Sequence, residues 1–65
     1  MISVFVEKAE LPDKSAPYDV VIRQGDDMIM MPAYDQEAAS KAAERIARAL
    51  RKAGAEIILL EGAKL

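Results

Sequence analysis

The chain reads as an α+β domain: a four-stranded mixed sheet, in the order β-β-β-α-β, with one helix packed on one face. Apolar residues alternate with period two near the N-terminus, return as β-branched runs mid-chain, and return again near the C-terminus. Before the last of these runs lies one amphipathic stretch of helical period, bounded by capping residues. A third observation bears on function. The strands carry apolar residues on both faces, and a single helix covers one.

The first strand is carried by Ile2, Val4 and Val6, alternating with Ser3, Phe5 and Glu7. Residues 8–17 are expected to form a polar loop, because Pro12 and Pro17 supply no ladder donor and Pro-Asp is turn chemistry. Tyr18 to Gln24 forms the second strand. Gln24-Gly25-Asp26-Asp27 turns the chain, with Gly25 free to take positive φ. Met28 to Met31 completes a hairpin, and Pro32 either ends that strand or sits on a sheet edge.

The helix begins at Asp35 as N-cap, with Glu37 in the first turn. It ends at Gly54, with Arg51 and Lys52 in the last turn. Ala39, Ala43, Ile46, Leu50 and Ala53 share one face. That face is mostly Ala, so the helix can lie close to the sheet. Glu37–Lys41 and Glu44–Arg48 have the spacing of favourable helical ion pairs. Ala55 to Glu61 forms the last strand. Ile57 and Leu59 oppose Ile58 and Leu60, a pattern that predicts a central position or a covered second face. In the simplest sheet the first three strands form an antiparallel meander, and the fourth lies beside the first and parallel to it.

Sixty-five residues make one domain, spanning 1–65. A chain of this size buries only about 60% of the surface it exposes when unfolded. It has no Cys and no His. Disulfides, thiolate metal sites and the commonest general base are therefore absent. The start of the chain has no basic lead, and the run Ile57–Leu60 is far too short to span a bilayer. The expected location is the cytoplasm, with no membrane partner. The net charge of −2 hides an asymmetry. Residues 1–40 hold eight acids against three bases, and residues 41–65 hold three acids against six bases.

No catalytic constellation emerges. Ser3, Ser15 and Ser40 have no histidine to activate them. Asp26 and Asp27 lack the remaining oxygens of a calcium loop. Met28, Met30 and Met31 lack the further soft ligands a Cu(I) site needs. The glycines are isolated, so no phosphate-cradling loop is indicated. The expectation is a non-enzyme with no cofactor and no metal.

Two surfaces remain. Lys41, Arg45, Arg48 and Lys52 form a basic stripe opposite the Ala face, the alternative site for nucleic-acid contact. The overall pI near 5.0, the nearby Glu37 and Glu44, and the lack of an aromatic residue in the stripe weigh against direct nucleic-acid binding. The other surface combines the loop acids Glu10 and Asp13, the hairpin-tip acids Asp26 and Asp27, and Met28, Met30 and Met31. Methionine suits a surface that moulds to a protein partner, and carboxylates can imitate a phosphate backbone in a partner's basic groove.

In its length, its acidic first half and its lack of His and Cys, the chain resembles the small inhibitors that phages encode, of which anti-CRISPR proteins are the best-known group. That class shares no fold. The resemblance implies only a mode of action, occlusion of a host protein, which is the first functional expectation. Tyr18 to Leu60, with Asp35-Gln36-Glu37-Ala38 opening the helix, is also similar to small uncharacterised bacterial βββαβ domains, which imply no definite activity. A nucleic-acid-handling complex is the kind of partner the acids would suit. A homodimer, its sheets packed face to face or edge to edge, is the remaining structural expectation.

Overall fold

The computed structural model describes residues 1–13 and 16–60, with the backbone alone for 10–13. The elements are β1 (Ile2–Asp13), β2 (Ala16–Gln24), β3 (Asp27–Ala33), α1 (Gln36–Lys52) and β4 (Ile57–Leu59). The sheet runs β3-β2-β1-β4. β1 pairs antiparallel with β2, and β2 with β3, while β4 lies parallel to β1. This is the mixed sheet and single helix that the residue patterns predict.

Two segments differ from the sequence reading. Of the stretch 8–17 expected to be a loop, residues 8–13 and 16–17 are strand, and 14–15 lie outside the described residues. β1 and β2 extend into it, and Asp13 pairs with Ala16. The ladder is irregular between Lys8 and Asp13, so Pro12 and Pro17 lie where regular pairing is interrupted. The fourth strand is not central but forms an edge; among the described residues it has three residues, Ile57–Leu59, and Glu61, the expected end of the strand, lies outside them.

The helix is set by its ends. The Asp35 carboxylate Oδ1 accepts from the Ala38 backbone N–H at 2.6 Å, with Asp35 itself extended. At the other end Gly54 takes φ +92°. The Gly54 N–H donates to the Arg51 carbonyl and the Ala55 N–H to the Leu50 carbonyl, both at 3.0 Å. That reciprocal pair is a Schellman cap. Between the caps Ala39, Ala43 and Ala47 are buried.

The core lies between α1 and one face of the sheet. Val4, Val6 and Val20 meet Ala39 and Ala43, with Ile2, Tyr18, Ile22, Ile46, Leu50, Ile57 and Leu59 packed around them. Among the described residues no fully buried side chain is larger than Val. The interface is therefore thin, as an Ala-faced helix demands.

Candidate functional site

Strand parity assigns every side chain to a face. Val4, Val6 and Val20 face the helix. Their neighbours Ser3, Phe5 and Glu7 on β1, and Asp19, Val21 and Arg23 on β2, therefore face the uncovered side. The register adds Met28, Met30 and Pro32 from β3 to that side, opposite Arg23, Val21 and Asp19. β4 contributes Ile58, opposite Ser3. The Leu60 N–H donates to the Val4 carbonyl at 3.0 Å, so the pairing continues one residue past β4 and sets Leu60 beside Phe5.

The middle of the uncovered face is thus an apolar row running across all strands: Leu60, Phe5, Val21, Met30. Val21 is fully buried within it although no helix covers this side. Ile58 and Met28 widen the row, and Met28, Met30, Ile58 and Leu60 are exposed. Ser3 and Arg23 border the band on one side, and the register pair Glu7 and Asp19 on the other. The apolar second face expected from the strand pattern is present.

The residues expected to contact a partner divide between surfaces. Met28 and Met30 share the uncovered face. Met31 pairs with Val20 and points to the helix side of β3, as do Asp27 and Ile29, and all three remain exposed there. Asp26 occupies the turn, where Gly25 has φ +59°. The Arg23 Nε donates to the Gly25 carbonyl at 3.1 Å and braces that turn. The side chains of Glu10 and Asp13 lie outside the description. Period-two counting along β3 separates Met31 from Met28 and Met30; treating the three as one patch overlooked it. Phe5, Ile58 and Leu60 complete the face, and the same alternation marks them in the sequence.

β3 is an edge strand, and every residue from Asp27 to Pro32 is exposed. Which of its backbone groups are free follows from the ladder. The Ile2 N–H donates to the Glu56 carbonyl and the Val4 carbonyl accepts from Leu60, so these residues turn their backbone groups toward β4. Ser3, Phe5 and Glu7 consequently bond β2, and Tyr18, Val20 and Ile22 bond β3. Met28, Met30 and Pro32 are left with their backbone groups pointing outward. Pro32, which has no N–H, occupies the one kind of position on this strand where none is required.

The basic stripe lies on the far side of the molecule. Lys41, Arg45, Arg48 and Lys52 are all exposed on the outer face of α1. Lys41 pairs with Glu37 at 3.2 Å, the one ion pair among the described residues; Glu44 and Arg48 do not close into another. A cleft of about 40 Å³ opens near the end of β4, lined by Phe5, Val6, Ser40, Ala43, Glu44, Leu59 and Leu60. It is far below the roughly 300 Å³ at which small-molecule sites begin. Among the described residues no three metal-ligating side chains gather, and no helix is long and apolar enough to cross a membrane.

No protein family, characterised protein or solved structure matches the chain.

Proposed function

We propose that the protein is a non-enzymatic, protein-binding regulator or inhibitor that acts by covering part of a partner's surface. The observation that carries this reading is the uncovered sheet face. Its apolar row of Leu60, Phe5, Val21 and Met30, widened by Met28 and Ile58, is rimmed by charged residues. Contiguous apolar surface with a polar rim is the usual form of a protein contact site. Two exposed methionines give such a surface side chains that adapt to the shape they meet. Asp26 and Asp27 stand at one end of the same hairpin and suit a basic neighbour on the partner. An anti-CRISPR-like inhibitor, occupying the basic groove of a nucleic-acid-handling complex in the cytoplasm, is one specific form of this function.

The test is capture from a bacterial lysate by three immobilised forms: wild type, the face variant Met28→Lys/Met30→Lys, and the tip variant Asp26→Lys/Asp27→Lys. A protein held by the wild type and lost from the face variant supports the proposal. Loss from the tip variant as well adds the acidic contact. Equal recovery on wild type and face variant, or recovery on neither, overturns it.

A further inference from the structure

We infer that the outer edge of β3 pairs with the same edge of a second copy, antiparallel, with Ile29 on the two-fold axis. The side chains of Met28 and Met30 belong to the sheet face discussed above. Their backbone N–H and C=O groups belong to the edge, and these carry the inference. An exposed strand edge with unsatisfied donors and acceptors is a template for another strand.

The free groups select both the partner and the register. Outward-pointing residues must meet outward-pointing residues, which restricts the pairing to a few antiparallel alignments. With Met28 opposite the second copy's Met30, each exchanges both bonds with the other. The symmetry repeats this, giving four hydrogen bonds. Pro32 then falls beyond the paired zone, opposite Asp26 of the second copy, and its missing donor costs nothing. An alignment centred on Met30 also makes four bonds, but it puts Pro32 at a bonded position opposite Met28, where its ring meets the Met28 carbonyl and leaves that carbonyl without a donor on each side. An alignment centred on Met28 brings the two hairpin tips together, four carboxylates in all. In the chosen register Asp27 lies opposite Met31 of the second copy. The two Asp27 residues are then about four residues apart along the strands, roughly 13 Å. That exceeds the screening length of about 8 Å at physiological salt.

The exposed side chains point to the same occupant. Of the eight large apolar residues left exposed among the described residues, four are consecutive on this one strand: Met28 at 54%, Ile29 at 60%, Met30 at 46% and Met31 at 40%. Among the described residues the opposite edge, β4, is three residues long and offers no comparable template. A seven-residue edge spans roughly 23 Å. Such a strip buries less than the roughly 800 Å² per partner of a standard interface, so the dimer is weak and depends on concentration. It forms one eight-stranded sheet and sets two apolar rows side by side.

The chain has no Cys, so single thiols report the register directly. In the proposed pairing Ile29 faces itself across a non-hydrogen-bonded position, about 4.5 Å between Cα atoms, within the range a disulfide spans. Mild oxidation of Ile29→Cys is expected to give a covalent dimer at least about tenfold faster than Met31→Cys, because pairing holds only the former thiols together. Met30→Pro removes an outward donor without touching the β2 ladder. It is expected to leave the circular dichroism unchanged and to abolish the concentration-dependent dimer seen for wild type by sedimentation between about 1 µM and 1 mM. Equal cross-linking at both positions, wild type monomeric throughout, or a Met30→Pro dimer as strong as wild type overturns the inference. Wild type held as a complex with another protein at this edge does so too. Cross-linking and capture are independent readouts, so failure of the dimer leaves the partner reading standing, and the reverse.

Discussion

Glu7 stands directly opposite Asp19 across the β1–β2 ladder, on the face the helix leaves uncovered. Both are half-buried, and neither has an ion-pair partner among the described residues. Like charges in this position destabilise a sheet, by an amount of the order of 0.2–1 kcal/mol. Asp19→Thr removes the repulsion and supplies a β-branched residue. It is expected to raise the unfolding free energy by that amount in urea titrations. Added salt should stabilise the wild type more than the variant, since screening relieves the same repulsion. A variant no more stable than wild type would show that the pair is held apart or countered by a partner.

The first turn of α1 depends on the Asp35 carboxylate. Asp35→Ala leaves the Ala38 N–H without its acceptor and is expected to cost about 0.5–2 kcal/mol. Asp35→Ser should recover most of that loss. Chemical denaturation followed by far-ultraviolet circular dichroism measures both.

At the opposite end Gly54 is required for its backbone and not for space. Among the described residues nothing beyond its own local backbone lies within 4 Å of where its Cβ would stand, yet its φ is +92°. Gly54→Ala is therefore expected to lose about 1–2 kcal/mol through conformational strain alone. Gly54→Asn should lose less. Equal stability of all three forms would mean that the cap can rearrange.

The helix lies on Ala39, Ala43 and Ala47, and a larger side chain there must lift it from the sheet. Ala39 is fully buried, so Ala39→Leu is expected to destabilise by about 1–3 kcal/mol through overpacking, despite leucine's good helix propensity. Ala49→Leu, exposed on the same helix, serves as the control and should change stability little. Thermal melts of the two variants separate packing from propensity.

The outer face of α1 predicts little nucleic-acid affinity. Glu37 already holds Lys41, which leaves Arg45, Arg48 and Lys52 free of ion pairs in the stripe. Three phosphate contacts give a salt slope no steeper than about −2.7 for duplex DNA. Fluorescence titration at low salt is expected to show weak binding at most, lost at physiological salt. Tight binding that survives physiological salt would make this face, not the sheet, the functional surface.

What the residue order revealed and what it concealed divides along the range of the interactions. The helix was legible from Asp35 to Gly54 because its caps and its apolar period are local. The pairing of β4 with β1 followed from the simplest topology. The edge position of β4 follows from that same topology, although a run such as Ile57–Leu60 does not by itself say which strands flank it. The extension of β1 through residue 13 and of β2 from residue 16 was hidden, because prolines in an interrupted ladder look like prolines in a loop. The site shows the same division. That the second face is apolar could be read from Val21 and Ile58. Which backbone groups of β3 remain open could not, because that depends on bonds between Ile2 and Glu56 and between Leu60 and Val4 at the other side of the sheet.

A core assembled from valine and alanine also has a calorimetric signature. Chains of this length gain on the order of 0.8–1 kcal/mol/K of heat capacity on unfolding, and a thin apolar layer belongs at or below the lower end. The unfolding enthalpy is then small and the melting transition broad. Anything that binds only the folded form shifts such a shallow curve far along the temperature axis. The midpoint of a heating scan becomes a gauge of occupancy, rising with protein concentration where copies associate and with a bound partner where one is supplied.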